Sequence, residues 1–145
     1  MKIDLPDLAA MDALGARIAK RLKAGDVVAL TGGLGAGKTT LARAILLSLG
    51  HEGEVPSPTF TILQEYDTTK PPVVHADFYR LETPQEVEEL GLEEYRDGAA
   101  LLAEWPDHAG GFDHEAGCLS IMLESVGEGR VATIELGRDW VERFA

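Results

Sequence analysis

Gly32-Gly33-Leu34-Gly35-Ala36-Gly37-Lys38-Thr39-Thr40 fits the spacing G-x-x-x-x-G-K-[ST] through Gly32, Gly37, Lys38 and Thr39. Apolar Val27-Val28-Ala29-Leu30 runs into it, and Leu41, Ile45 and Leu49 leave it at helical spacing, so the order is strand, loop, helix. A loop that turns its backbone N–H groups onto a polyphosphate needs positive φ and close approach, which suits Gly33, Gly35 and Gly37. The following helix N-terminus adds unpaired N–H groups, Lys38 adds a mobile positive charge, and the Thr39 hydroxyl is a magnesium ligand by type. Leu34, Ala36 and Thr40 complete the segment that would wrap the phosphates. A nucleoside triphosphate site is therefore expected here.

Size and charge bound the rest. With 145 residues, 45% of them hydrophobic, the chain is expected to form one domain over residues 1–145. A formal net charge of -12 repels nucleic-acid backbones and anionic membranes, so direct nucleic-acid binding is not expected. Cys118, the single cysteine, reads as a small buried strand residue. No signal-peptide pattern and no apolar run of about 18 residues is present, and a reducing cytoplasmic location is expected.

Along the chain, Leu8, Met11, Leu14, Ile18 and Leu22 mark an amphipathic helix starting after Pro6. Gly50 is placed to end the helix that follows the phosphate loop. Pro56 to Leu63 reads as a strand with a proline-held entry, and Val73-Val74-His75-Ala76-Asp77 as a buried strand ending in an acid. Thr83-Pro84-Gln85-Glu86 opens a helix that ends near Gly91. Seven acids against the single base Arg96 between residues 82 and 97 read as a solvated helix face, with a docking surface for a basic partner as the sharper alternative. Ala99 to Glu104 is a second apolar strand delivered into an acid, residues 107–117 read as an exposed loop, and Leu119–Val126 with Arg130–Leu136 form a hairpin at the sheet edge.

A phosphate loop needs an acid at the tip of a neighbouring strand to hold magnesium or orient water. Asp77 and Glu104 both qualify, and spacing alone does not choose between them. The chain contains no asparagine, so the Asn-Lys-x-Asp motif that reads guanine is absent and ATP is the expected nucleotide. An arginine-rich lid of the kind a small-molecule kinase uses is not obvious, although Arg80 and Arg96 keep that class in view.

Gly32 to Thr40, Ser57-Pro58-Thr59-Phe60-Thr61, His75-Ala76-Asp77-Phe78-Tyr79-Arg80, Leu90-Gly91-Leu92-Glu93-Glu94-Tyr95 and Glu104-Trp105-Pro106 occur in the order and spacing of the TsaE (YjeE) family, which this chain resembles over nearly its whole length. The resemblance implies a small ATPase that works with the TsaB and TsaD proteins in forming threonylcarbamoyladenosine on tRNA. It implies that Lys38 and Thr39 bind phosphate and magnesium, that Glu104 is the metal-side carboxylate and that Asp77 belongs to the catalytic or switch segment. Thr59 is implied to lie in a nucleotide-sensing segment, and Arg80 and Arg130 to approach the nucleotide. Two positions depart from the family pattern: Gly33 stands where Asp is common, and Met11 where a hydroxyl residue often lies near the base.

The expected fold is thus a three-layer α/β P-loop NTPase fold, its sheet mostly parallel with an antiparallel C-terminal hairpin. The expected activity is magnesium-dependent ATP hydrolysis. The alternatives are a small-molecule kinase and a binding module that responds to nucleotide without hydrolysing it.

Overall fold

The computed structural model describes residues 1–56, 62–83 and 85–144. Seven strands form one sheet: β1 (Lys2–Leu5), β2 (Val27–Thr31), β3 (Leu63–Tyr66), β4 (Val73–Asp77), β5 (Ala100–Glu104), β6 (Cys118–Val126) and β7 (Gly129–Leu136), in the spatial order β1-β7-β6-β2-β5-β4-β3. The central block β6-β2-β5-β4 is parallel throughout, and antiparallel pairs flank it on both sides. Among the described residues four α-helices complete the fold: α1 (Leu8–Ala19), α2 (Lys38–Ser48), α3 (Gln85–Leu90) and α4 (Leu92–Arg96).

The three layers follow from strand alternation. On β2, Val28 and Leu30 face the cluster built with Met11, Leu14 and Ile18 of α1 and Leu41 and Ile45 of α2. Val27 and Ala29 face the opposite cluster, with Phe78, Leu81, Leu92 and Phe112. Both faces of the central strands are covered, which is why their sequences are continuous apolar runs rather than alternating ones. Asp7 caps α1 by accepting a hydrogen bond from the Ala10 N–H at 2.9 Å, as the start after Pro6 required. Gly50, at φ +101°, ends α2 in the left-handed conformation, and the His51 N–H closes onto the Leu46 carbonyl at 3.1 Å.

Some expectations are corrected. The C-terminal hairpin is not at the sheet edge, because β1 pairs antiparallel with β7 and takes that place. The strand expected from Pro56 to Leu63 starts only at Leu63: Ile62 has φ +66°, outside the extended region, and residues 57–61, with Thr59, lie outside those described. Pro84 does too, while α3 ends at Leu90 before Gly91 as read. The acidic run then folds into a second short helix, α4, started by Gly91 at φ +72°. Residues 107–117 are not wholly exposed, since Phe112 is buried against Phe78 and Leu92. The C-terminal segment is core as well: Trp140 and Phe144 are fully covered, and the Trp140 indole donates to the Gly117 carbonyl at 2.8 Å. Cys118 is buried on β6 as expected. Among the described residues no helix is long and apolar enough to cross a membrane.

The packing of α1 on α2 depends on Gly15, whose absent Cβ would lie 2.5 Å from the Ala44 Cβ. Gly15→Ala gains helix propensity worth up to about 1 kcal/mol but forces α2, and with it the base of the phosphate loop, outward at a cost of roughly 1–3 kcal/mol. A net fall in melting temperature of roughly 2–6 °C is expected by calorimetry. An unchanged or higher melting temperature would show that α1 and α2 do not meet closely at Gly15.

Candidate phosphate and metal site

The loop from Gly32 to Gly37 lies at the carboxyl end of β2, where β5 pairs on one side and β6 on the other, the place at which doubly wound sheets open a crevice. Gly32 is required by its surroundings. It has φ +137°, and a Cβ there would come within 2.4 Å of the Leu123 carbonyl oxygen on β6. A Cβ on Gly33 or Gly35 would meet nothing within 4 Å, so neither position is crowded by the rest of the fold. A cleft of about 300 Å³ lies over it, lined among others by Gly35, Lys38, Thr39, Asp77, Glu104 and Arg130.

Lys38 is folded back onto its own loop, its Nζ donating to the Gly32 carbonyl at 2.8 Å and the Gly33 carbonyl at 2.7 Å. The ammonium also sits 4.6 Å from the centre of the Trp105 ring. Burial lowers its pKa below the ordinary lysine range, and the nearby charges of Glu104 and Asp77 pull it partly back up. Arg130, on β7, braces the same loop from the other side: Nε donates to the Ala36 carbonyl at 3.1 Å and Nη2 to the Gly35 carbonyl at 3.1 Å. With those carbonyls engaged, the loop is held with its open side toward the cleft.

The two acids sit side by side. Asp77 and Glu104 are register partners at the ends of the parallel strands β4 and β5, both buried. The Thr39 hydroxyl lies 2.8 Å from Glu104 Oε1 and 3.0 Å from Oε2, and donates to that carboxylate. Asp77 Oδ1 accepts the Tyr79 N–H at 3.0 Å, which fixes the turn leaving β4. After Glu104 the chain bends sharply: Trp105 adopts φ +55° and ψ 52°, a left-handed conformation uncommon for a bulky residue. Its N–H reaches the Leu30 carbonyl at 3.3 Å, and the Glu104 carbonyl accepts the Phe78 N–H at 3.0 Å. The Glu104–Trp105 peptide is thereby tied to β2 on one side and to the end of β4 on the other.

Of the sequence candidates, the fold gathers Leu34, Gly35, Gly37, Lys38, Thr39, Thr40, Asp77, Glu104 and Arg130 around this cleft. Gly33 lies on the flank facing β6, and Ala36 is buried beneath the loop. Arg80 is exposed in the turn after β4 and does not line the cleft. Two features escaped the sequence reading. Tyr79, Trp105 and His108 stack on one another with centroid separations of 5.0 to 6.2 Å, bringing residues from two turns together at the cleft rim. His75 is buried against Glu104; in the sequence it showed only as a polar residue inside an apolar strand and as the first residue of the motif His75 to Arg80, neither of which pointed to Glu104.

Among the described residues no group of three or more His, Cys, Asp or Glu side chains is arranged to hold a metal by itself. Magnesium takes one or two protein oxygens and completes its shell with phosphate oxygens and water. The Thr39 hydroxyl and the Glu104 carboxylate, paired at the end of an open glycine loop, are a donor set of that kind.

A parallel sheet core, a glycine loop at the end of its central strand and a Lys-Thr pair opening the next helix define a P-loop α/β protein. Within that class the chain belongs to the TsaE family: the model for threonylcarbamoyl adenosine biosynthesis protein TsaE matches residues 5–132. It is 45% identical over 112 residues to the tRNA threonylcarbamoyladenosine biosynthesis protein TsaE of Synechocystis, covering 74% of this chain and 71% of that one. To the protein of the same description from Haemophilus influenzae it is 36% identical over 124 residues, covering 82% and 78%. The crystal structure of YdiB from Bacillus subtilis superposes with a TM-score of 0.80 at 29% identity, covering 99% of this chain and 90% of YdiB. The family is one of tRNA threonylcarbamoyladenosine biosynthesis.

Proposed function

We propose that this chain is a magnesium-dependent ATPase that supports threonylcarbamoyladenosine modification of tRNA in a complex with TsaB and TsaD. The observation that carries it is the convergence of Lys38, Thr39, Glu104 and Asp77 on one open glycine loop. Lys38 exchanges the Gly32 and Gly33 carbonyls for phosphate oxygens, moving a charge it already holds at the loop. The loop N–H groups and the start of α2 bind the remaining phosphate charge, with Arg130 holding the loop in shape. Magnesium bound with the nucleotide supplies neutralisation of the phosphate charge, and Thr39 and Glu104 are the residues that would hold it. Asp77 orients the attacking water and accepts its proton. Trp105, over the Lys38 ammonium, shields this side of the cleft from bulk water.

A net charge of -12 supports contact with tRNA through partner proteins rather than directly, and the family's role supports a cytoplasmic site of action. The test is ATP turnover by the chain alone, with TsaB and TsaD together, and with tRNA added to each. Slow turnover alone, a rise with the two partners and no response of the isolated chain to tRNA are expected. Modification sustained by a variant that binds but does not hydrolyse ATP would make the protein a nucleotide-dependent binding module, and a phosphorylated small molecule would make it a kinase.

A further inference from the structure

We infer that His75 is a positioning residue for Glu104, holding its carboxylate oriented toward the phosphate loop; the inference rests on the function proposed above. The His75 side chain is 0% exposed, in the middle of β4. Its register partner on β5 is the apolar Leu102, and Val73, two residues earlier on its own face, belongs with Leu102 to the core beneath α2; on the other side its partner on β3 is the half-buried Gln64. An aliphatic side chain would fill this place without desolvating a polar ring. Among the described residues the imidazole instead makes a single side-chain contact of hydrogen-bonding length, Nε2 to Glu104 Oε2 at 2.6 Å, short for an N–H···O bond. Since an ionised carboxylate only accepts, Nε2 is the donor. The other ring nitrogen, Nδ1, is buried and meets no partner among the described residues. A histidine kept in the core with half of its polar capacity unmet is kept for the half that is met.

What that bond adds is set by the division of the carboxylate. The Thr39 hydroxyl touches both oxygens of Glu104, whereas His75 takes Oε2 alone. When Thr39 turns to its own role beside the phosphates, His75 still fixes Oε2, and Oε1 stays directed toward the loop. Without His75, Glu104 would rest on Thr39 only and would rotate once that hydroxyl left. This is how a partner behind a ligand sharpens metal affinity without touching the metal.

The experiment is ADP binding by calorimetry across a magnesium titration, for wild type, His75→Leu, His75→Gln, Glu104→Gln and the double variant His75→Leu/Glu104→Gln, with thermal melts to establish folding. Magnesium should tighten ADP binding to the wild type. His75→Leu should raise the magnesium concentration for half of that effect by about tenfold while leaving metal-free ADP affinity within about twofold. His75→Gln, which regains a donor, should recover part of the shift, and the double variant should be no worse than Glu104→Gln alone. A folded His75→Leu protein with wild-type magnesium dependence, or additive effects in the double variant, would overturn the inference while leaving the proposed function standing. If His75→Leu does not fold, His75→Phe, which keeps a ring but has no donor, decides: a magnesium shift of about tenfold supports the role and a wild-type dependence overturns it. A wild type whose ADP affinity ignores magnesium would overturn the proposed function, and this inference with it.

Discussion

Lys38→Met is expected to weaken ATP and ADP binding by roughly 10- to 100-fold and to reduce hydrolysis below detection, while the protein melts within a few degrees of wild type. The size of the binding loss follows from removing one charged hydrogen-bond donor from a phosphate, worth roughly 1.5–3 kcal/mol. The separation of binding from stability follows from the structure. The Lys38 pKa is lowered in the folded state, with burial the largest cause, so the fold disfavours its charged form at neutral pH. Removing that charge relieves a cost, which offsets the two bonds to the Gly32 and Gly33 carbonyls that are lost with it. Methionine keeps the length of the side chain against Trp105, so the ring is not left over a void. Calorimetric titration and a thermal melt on the same preparation check both halves. Wild-type affinity would remove Lys38 from the phosphate site, and a collapse in melting temperature would make it a structural brace of the loop.

How much of this was legible in the sequence depends on the range of the forces involved. The phosphate loop, α2 and its Gly50 end, β4 and β5 were readable because each is fixed locally, by glycine conformations, helical periodicity or an apolar run stopped by an acid. β1 was not, because Lys2-Ile3-Asp4-Leu5 is too short to show a pattern. It becomes a strand by pairing with residues 130–133, far along the chain. The same holds for the C-terminus. Trp140 and Phe144 belong to a tail by sequence but to the core by packing. Arg143 locks that tail by a 2.6 Å ion pair with Asp26, more than a hundred residues away. In the site, residue types identified the loop and the two acids, but their registration, Asp77 opposite Glu104, exists only once β4 lies beside β5. The partner of His75 was hidden for a related reason: one polar residue in an apolar strand says that a partner exists, and only the sheet says which.

That registration also decides how the two acids should differ. Glu104 already holds the Thr39 hydroxyl at the start of α2, next to Lys38, whereas Asp77 faces the same cleft from the neighbouring strand with one oxygen committed to the Tyr79 N–H. Glu104→Gln keeps the size and one acceptor of the side chain but removes its negative charge, so the magnesium concentration needed for half-maximal turnover should rise by roughly 10- to 100-fold, with residual activity recovered at high magnesium. Asp77→Asn removes a proton acceptor rather than a metal ligand, so turnover should fall by roughly 100- to 10,000-fold at every magnesium concentration while ADP affinity changes little. Turnover measured across a magnesium series, beside ADP binding by calorimetry, separates the two patterns. If the Asp77 variant is the one rescued by magnesium, the roles are exchanged and the metal lies on the β4 side of the cleft. If both variants turn over as wild type does, neither carboxylate serves the reaction, and their burial side by side at the strand ends needs another cause.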